Sequence, residues 1–380
     1  MDTGKRVLIL YASAGLGHEK AAKGILEAYR ELYPEVDVRR VDVLSLISPF
    51  VRGFYKKVYA FQIQYAPWLW GAFYYSFNVP WIYFFMRFVR RAVNSGGGAG
   101  IEKTLIHEKP SVIIHTHFLS TEIASHLKEN KKIDARMLTV MTDYLPHIVW
   151  IGSGVDVYTV ALPETKEGLV KRGVPEEKIK VLGIPVERKF STKQDPKALR
   201  RKLSLREDVF TVLVTSGGAG IGAVEDVIQG LGALKADIQV MGVCGTNKKL
   251  QSRLSGLARR DPRIKLFGFV NNMEELMEAS DLVIGKGGGL TVTECLAKEK
   301  PMILFRSVPG QESRNAACVQ RHRAGIATDS VTRVVSAVSE FLKSPQEMQL
   351  YKEGVLAMAR PGAAEAIVRL AEHLRTGRDE

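Results

Sequence analysis

Glycines recur where short apolar runs of this sequence give way to helical patterns. The first such turn, SAGLGH, covers residues 13–18 and follows the run VLILYA. Glycine lets a backbone approach a ligand closely, and the N-terminus of the following helix presents unpaired N–H groups to an anion or another acceptor. Gly17 is therefore a candidate ligand contact and His18 a candidate catalytic residue. A tight packing turn is the alternative, because Lys20 stands where the dinucleotide fingerprint has its third glycine.

A carboxylate, Asp143, ends another apolar run, RMLTVMTD. At the carboxyl end of a parallel strand such a group acts as a general base when a hydroxyl lies within hydrogen-bond reach, and its alternative role is a turn or helix cap. His115 and His117 end a neighbouring run, but no carboxylate or cysteine accompanies them at metal-ligand spacing, and the sequence has no DxD motif. The sequence therefore predicts a site that works without a metal ion.

The second half of the chain contains two further glycine turns. One holds Gly217, Gly218 and Gly220, and the other is GKGGG at 285–289, followed by Thr291 and Glu294. Glycine turns aimed at one ligand form backbone cradles for a diphosphate, and a helix N-terminus adds positive potential. Glu294, one turn into its helix, is placed to accept hydrogen bonds from ribose hydroxyls. The segment PGQESRN at 309–315 carries side chains that read sugar hydroxyls through paired donors and acceptors.

The elements that position these turns are apolar runs alternating with helical patterns. Ten runs predict buried parallel strands, because both faces of such strands are covered. Five precede the polar linker STKQDPKALRRKLSLRED and five follow it: 7–12, 111–117, 136–143, 155–162 and 178–185, then 209–218, 237–245, 263–270, 281–289 and 301–305. Two such series predict an α/β protein with two doubly wound, Rossmann-like domains that face each other across a cleft.

Length and composition fit this organisation. A chain of 380 residues has room for two domains of about 150 residues each, and 46% hydrophobic with 25% charged residues excludes disordered and collagen-like classes. The net charge of +13 favours an anionic partner, which is a nucleic acid, an anionic lipid surface or a phosphorylated substrate. Three widely spaced cysteines and an N-terminus without the apolar region of a signal peptide predict a cytoplasmic location.

One segment departs from the alternating pattern. No acidic residue occurs between Asp42 and Glu102, and residues 50–88 contain 17 of the chain's 31 aromatic residues. Because Trp and Tyr favour the water–lipid interface, residues 50–91 are predicted to form an interfacial anchor on an anionic membrane. An aromatic helical pair buried in protein and a membrane-spanning helix are the alternatives. Six basic residues flank the uncharged part of this segment, Val58 to Met86: Arg52, Lys56, Lys57, Arg87, Arg90 and Arg91.

The motifs of the second half resemble a known family. From Gly285 to Gly325 the string GKGGGLTVTECLAKEKPMILFRSVPGQESRNAACVQRHRAG is similar to the donor-binding signature of glycosyltransferase family 28, and within it to the diacylglycerol glucosyltransferases and monogalactosyldiacylglycerol synthases. The stretches ASAGLGHEKAA, VMTDY, VLGIPV and SGGAGIG resemble the same proteins. The resemblance implies a GT-B fold with an N-terminal acceptor domain, a C-terminal domain for a UDP-sugar, and inversion at the anomeric carbon without metal.

The resemblance also implies roles for individual residues. Asp143 would be the base, with His18 beside the acceptor or assisting it. The donor site would comprise Glu294 at the ribose, Gln311 and Glu312 at the sugar, Gly218 and Thr291 near the diphosphate, and Phe269 and Val270 near the uracil, together with Gly17, Gly217, Gly220, Gly288, Gly289 and Asn315. Relatives usually carry Lys-Pro-Gly-Gly where this chain has Lys-Gly-Gly-Gly at 286–289, which predicts a more flexible diphosphate turn.

These patterns and the resemblance predict an inverting, metal-independent enzyme that moves a hexose from a UDP-sugar to a membrane lipid hydroxyl. The predicted acceptor is diacylglycerol. The alternatives are N-acetylglucosaminyl transfer to a polyprenyl-linked precursor, a UDP-sugar 2-epimerase, and a basic binding protein with a degenerate sugar site. The predicted domains are 1–190 for the acceptor and membrane, 191–350 for the UDP-sugar, and 351–380 as helices packing back toward the first domain. We expect a peripheral protein at the cytoplasmic face, with no cofactor besides the donor substrate and no nucleic-acid partner.

Overall fold

The computed structural model describes residues 6–13, 15–48, 53, 67–77, 99–215 and 224–377. Contacts divide the chain into two compact units. The first unit comprises Met1–Arg188, Pro309–Gln311 and Arg360–Glu380, and the second comprises Lys189–Val308 and Glu312–Ala359.

Each unit is built on a six-stranded sheet in which every pairing is parallel. The first sheet has the order β2-β1-β3-β4-β5-β6 and the second the order β12-β11-β10-β7-β8-β9. The strands are β1 (Arg6–Tyr11), β2 (Asp37–Asp42), β3 (Val112–His115), β4 (Arg136–Val140), β5 (Val157–Val160), β6 (Ile179–Val181), β7 (Phe210–Thr215), β8 (Ile238–Val243), β9 (Ile264–Phe267), β10 (Leu282–Gly285), β11 (Met302–Phe305) and β12 (Gly325–Thr328).

Helices connect successive strands in both units, as parallel pairing requires. Those of the first half are α1 (Leu16–Leu32), α2 (Pro67–Phe77), α3 (Ala99–Glu108), α4 (Phe118–Glu129), α5 (Pro163–Val170), α6 (Arg188–Ser191) and α7 (Pro196–Lys202). Those of the second half are α8 (Val224–Ala233), α9 (Lys248–Arg260), α10 (Met273–Ala279), α11 (Gly289–Ala297), α12 (Gln311–Arg321), α13 (Val331–Lys343), α14 (Pro345–Met358) and α15 (Ala363–Thr376).

The first sheet shows why the sequences of its inner strands are largely apolar. Leu8 and Leu10 of β1 pack into the core that contains α3, α4 and α5, whereas Val7 and Ile9 pack into the opposite core with α1 and α15. Successive side chains of a strand point to opposite faces, so a strand covered on both faces needs an apolar residue at every position. The two doubly wound domains predicted from the sequence are confirmed.

Two edge strands, β2 and β12, were missed because their sequences do not form a continuous apolar run. β2 has the sequence DVRRVD and is only partly buried, and β12, GIAT, is a four-residue strand at the edge of the other sheet. Neither shows a continuous apolar run. Chain order reverses between β1 and β3 in the first sheet and between β7 and β10 in the second. In open α/β sheets ligands bind beyond the carboxyl ends of the strands at such points.

Candidate active site

In the first unit, the turn after β1 is fixed by a carboxylate from the neighbouring strand. Asp42, at the end of β2, accepts hydrogen bonds from the backbone N–H and the hydroxyl of Ser13, at 3.1 and 2.6 Å. The helix α1 then begins at Leu16, with Gly15 as its N-cap. Glycine has no side chain with which to cap the first N–H groups of this helix, which follows β1 at the switch point of the sheet. Gly17 is the second residue of this helix.

His18 is held in one orientation by the end of β3. Its Nδ1 lies 2.7 Å from the carbonyl oxygen of Thr116, and 3.1 Å from the hydroxyl of Thr142. A carbonyl oxygen only accepts, so Nδ1 carries the proton and Nε2 keeps its lone pair. Burial lowers the pKa of His18 to about 4, although the bond to Thr116 opposes this shift. The ring is therefore neutral at pH 7 and offers an acceptor nitrogen.

Asp143 is a nearly buried carboxylate with side-chain partners on both oxygens. The residue is 5% exposed. The indole Nε1 of Trp150 donates to its Oδ2 at 3.1 Å, and the amide of Gln311 donates to its Oδ1. The loop around it is held by Thr165, whose hydroxyl donates to the carbonyl of Tyr144 at 2.6 Å. Hydrogen bonds to a carboxylate stabilise its charged form, which is the form a general base requires.

The fold brings His18 close to Asp143. The link between them is Thr142, which lies 124 residues from His18 in the sequence. Thr142 contacts His18 and directly precedes Asp143, and the ring of Trp150 lies 6.2 Å from that of His18, centroid to centroid. Trp150 is 1% exposed. Sequence reasoning missed Trp150, because a buried tryptophan is typical of core packing. Nothing in its spacing from the strand end indicates the hydrogen bond.

The described part of the aromatic segment lies beside this loop. The Nε2 of His147 donates to the backbone carbonyl of Tyr74 in α2 at 2.9 Å, and the centroids of the two rings are 4.3 Å apart. On the same side of α2, Gly71 packs so closely on Pro309 that an added Cβ would come within 2.8 Å of it. The helix thus has a packed face and is part of the first unit.

The other face of α2 is apolar and exposed. Trp68 is 70% exposed, Leu69 43% and Tyr75 49%, and Ala72 between them is exposed too. Positions 68, 72 and 75 share one face of a helix, and α2 contains no charged residue. Trp81 and most of the predicted anchor lie outside the described residues. Within the described part of the chain, no helix combines the length and the hydropathy needed to cross a membrane.

In the second unit, the turn after β10 is tightly held. The N–H of Gly287 donates to the hydroxyl of Ser307 at 3.0 Å, and the amide of Asn315 donates to the Gly287 carbonyl at 3.1 Å. An added Cβ at Gly287 would lie 2.3 Å from the carbonyl oxygen of Glu312. These contacts hold the turn in this structure, and its greater flexibility relative to a proline-containing turn stays a prediction. In this structure an added Cβ at position 287 has no room, and the Gly287 N–H is used in the bond to Ser307.

This turn leads into α11, whose N-terminus is the predicted diphosphate contact. Gly288 is the N-cap and Gly289 the first residue of the helix, so again no side chain caps the first N–H groups. Thr291 is partly exposed beside them, while Glu294, one turn later, is 3% exposed. The arrangement places positive helix-end potential and backbone donors at the switch point of the second sheet.

The remaining predicted donor residues have separate positions. Glu312 accepts a hydrogen bond from the N–H of Val308 at 2.9 Å, and Asn315 is buried in its bond to the glycine turn. Phe269, 58% exposed, and Val270 follow β9, which β7 and β8 separate from β10. Gly217, Gly218 and Gly220 lie outside the described residues. The ligand contacts assigned to all these residues stay predictions.

Comparisons with known proteins identify the family of the chain. A family model for monogalactosyldiacylglycerol (MGDG) synthase matches residues 18–186, and the model for the glycosyltransferase family 28 C-terminal domain matches residues 211–367. A processive diacylglycerol beta-glucosyltransferase of Bacillus cereus is 31% identical over 365 residues, which cover 96% of this chain and 92% of the relative.

Solved structures show the same fold at low sequence identity. Anabaena Alr3699/HepE in complex with UDP and glucose has a TM-score of 0.57 and 14% identity, and covers 97% of this chain and 99% of its own. A putative UDP-N-acetylglucosamine 2-epimerase from Listeria monocytogenes has a TM-score of 0.62 and 13% identity, with coverage of 99% and 98%. At these identities the likeness establishes the GT-B fold alone.

Fold and sequence together define a glycosyltransferase with two Rossmann-like domains, and the predicted enzyme class is confirmed. The chain belongs to glycosyltransferase family 28, in the group that contains the monogalactosyldiacylglycerol synthases and the processive diacylglycerol glucosyltransferases.

Proposed function

We propose that the protein is an inverting, metal-independent enzyme that transfers a hexose from a UDP-sugar to the hydroxyl of a membrane lipid, with diacylglycerol as the acceptor. The observation that carries this proposal is the 31% identity to a diacylglycerol glucosyltransferase over nearly the whole chain. Two features of the structure support it. They are the uncapped helix N-terminus after the Gly287 turn and the apolar face of α2 beside the loop of Asp143.

The donor is proposed to bind at the N-terminus of α11. The N–H groups after Gly288 would hold the diphosphate, and their partial positive charge would stabilise the UDP that leaves as the bond from the anomeric carbon to the phosphate oxygen breaks. Backbone donors and the helix end would thus supply the charge stabilisation that a metal ion supplies in other transferases. Glu294 would accept hydrogen bonds from the ribose, and Glu312 from the sugar.

The acceptor hydroxyl is proposed to give its proton to Asp143 as its oxygen attacks the anomeric carbon from the side opposite UDP. An α-linked donor would therefore yield a β-glycoside. Bonds from Trp150 and Gln311 favour the ionised carboxylate, which supports this assignment over the cap role. Neutral His18, with its Nε2 as acceptor, would orient the lipid hydroxyl. Its low pKa keeps the ring neutral at pH 7.

The acceptor side is proposed to sit on the cytoplasmic face of a membrane through residues 50–91. The exposed Trp68, Leu69 and Tyr75 would enter the interface, where burial of a large side chain contributes about 1.5 to 3 kcal/mol. The flanking basic residues, which lie outside the described residues, would add attraction to anionic lipid of about 1 kcal/mol each. A lipid hydroxyl would then reach Asp143 without the acyl chains entering water.

The test is transfer of radiolabelled sugar, with each UDP-hexose supplied separately to the enzyme and mixed lipids. We expect a labelled β-linked glycoglycerolipid that still forms in the presence of a chelator. Asp143→Asn should lower kcat by about 100-fold or more with donor affinity retained, whereas the exposed control Asp134→Asn should match the parent protein. Label found only in polyprenyl-linked products, or only epimerised UDP-sugar, would replace the proposal by one of its alternatives.

The membrane contact has its own test, flotation with anionic and neutral vesicles. Trp68→Ser should weaken binding to anionic vesicles by about 10-fold, because roughly 1.4 kcal/mol corresponds to that factor. Leu356→Ser is the matched control, since Leu356 is 52% exposed in the second unit. The anchor would be contradicted if both variants bound anionic vesicles equally well. It would also be contradicted if the parent protein bound anionic and neutral vesicles equally.

A further inference from the structure

The hydrogen bond between Trp150 and Asp143 lies at the centre of a set of contacts that no motif predicts. Trp150 ends a 3₁₀ turn, Ile148–Trp150, whose first N–H groups are capped by the preceding residue, His147. The Nδ1 of His147 accepts from the N–H of Val149 at 3.3 Å, and its carbonyl accepts from the N–H of Trp150 at 3.2 Å. The backbone position of Trp150 is therefore fixed by the same histidine that contacts α2.

The indole ring is fixed as firmly as its backbone. Trp150 belongs to the core of the first unit, and Phe118 of α4 packs edge-on at 6.1 Å between ring centroids. The N–H of an indole has a single use, as a donor. Because the ring cannot turn without disturbing this core, the donor stays aimed at Oδ2 of Asp143, while Oδ1 accepts from the amide of Gln311.

We infer that Trp150 is a positioning residue for the base: its indole N–H holds Asp143 in its ionised form and in one rotamer, while His147 fastens the turn that carries it to helix α2. This inference deepens the proposed role of Asp143. Removal of the donor removes a bond to the charged carboxylate, so a higher pH is then needed to keep the carboxylate ionised. Among the described residues, the titratable groups around this cluster include His18, His117, His147, Tyr74 and Tyr158.

The kinetic test compares Trp150→Phe, which keeps most of the ring, with Tyr158→Phe as the control. Tyr158 is 2% exposed, and its hydroxyl bonds to Gly152, so this change also deletes a buried hydrogen bond in the same core. We expect Trp150→Phe to lower kcat by about 10-fold and to move the acid limb of the pH–kcat profile up by about one pH unit. Tyr158→Phe should leave the acid limb in place. An unmoved acid limb in Trp150→Phe, or equal movement in both variants, would overturn the inference.

A second measurement needs no substrate and no change at Trp150. The chain has four tryptophans, so replacing Trp68, Trp70 and Trp81 by Phe leaves Trp150 as the sole indole emitter. Its emission should titrate with pH, and the titration should vanish on further change of Asp143→Asn but persist with His18→Gln. A titration that survives Asp143→Asn refutes the pairing. If the emission titration depends on Asp143 while the parent protein transfers no sugar to any lipid, the proposed function fails and the pairing of Trp150 with Asp143 still stands.

Discussion

The turn after β10 contains two adjacent glycines, Gly287 and Gly288. Substitutions at these two positions should separate an effect on stability from an effect on UDP binding. In Gly287→Ala the new Cβ would lie 2.3 Å from the Glu312 carbonyl and 3.0 Å from the Ser307 hydroxyl. Ordinary contacts begin near 3.4 Å, so the start of α12 must move by about 1 Å. In Gly288→Ala the nearest atom is the Thr291 hydroxyl at 3.8 Å. The backbone of Gly288 is extended, with φ −64° and ψ 134°, which alanine adopts without strain.

The expected magnitudes follow from these contacts. Gly287→Ala should lose or weaken two hydrogen bonds, at about 1 kcal/mol each, and add overpacking of about 1 to 3 kcal/mol. The unfolding free energy of the second unit should therefore fall by about 3 kcal/mol, which lowers Tm by about 6 to 12 °C. Gly288→Ala should change it by about 1 kcal/mol at most, because alanine is only a poorer N-cap than glycine.

For UDP affinity we expect a clear effect of Gly288→Ala, the variant with little effect on stability. If the diphosphate rests on the N-terminus of α11, the Cβ of Gly288→Ala occupies the cradle and should weaken UDP binding by about 10-fold or more with Tm nearly unchanged. The assay is calorimetric titration with UDP beside thermal unfolding. Gly256→Ala, in α9 with no atom within 4 Å of its Cβ, controls for the added methyl. An unchanged Tm in Gly287→Ala, or full UDP affinity in Gly288→Ala, would refute this reasoning.

Three further changes test other parts of the molecule. Glu294→Gln should weaken UDP binding by about 10-fold in calorimetric titration, because a charge-assisted bond to the ribose contributes about 1.5 kcal/mol or more. Unchanged affinity would show that Glu294 does not bind the ribose. Burial lowers the pKa of His115 to about 3 from 6.5, so the unfolded state binds more protons and stability is lost as pH falls from about 6.5 toward 3. In urea unfolding between pH 4 and 6.5, His115→Gln should flatten this slope by about 1.4 kcal/mol per pH unit, and an identical slope would contradict the neutral ring. Lys298→Met should cost about 3 to 5 kcal/mol in urea unfolding because it leaves Glu278, its partner at 2.7 Å, buried and unpaired, and adding Glu278→Leu should restore most of the loss.

Much of the fold could be predicted from the sequence because parallel strands covered on both faces are apolar at every position. All ten predicted strands are present, with ends shortened by a few residues where loops begin, as at 136–143 against Arg136–Val140. The edge strands β2 and β12 escaped prediction for the converse reason. Asp37 and Arg39 of β2 form an ion pair and are partly exposed to solvent, so this strand does not need an apolar run.

In the candidate site, too, some features could be predicted from the sequence and others could not. Sequence order placed His18, Asp143 and Glu294 next to strand ends, because glycine turns and terminal polar residues are local features of the chain. Their hydrogen-bond and packing partners, however, come from residues that are distant in sequence. The Trp150 bond to Asp143, the contact of Thr142 with His18 and the closure of Gly287 on Glu312 depend on strand register and on the packing of loops that are distant in sequence.

The sequence by itself therefore determined the class of protein, its two domains and the residues that begin each ligand-facing turn, because periodicity and glycine spacing are properties of neighbours along the chain. Only the tertiary structure decided that α2 turns Tyr74 toward His147 and Trp68 toward solvent, since every residue of α2 is uncharged and its hydrophobic pattern marks no preferred face. The side on which an apolar helix packs is set by the surface that covers it, and here His147 and Pro309 supply that surface from elsewhere in the chain.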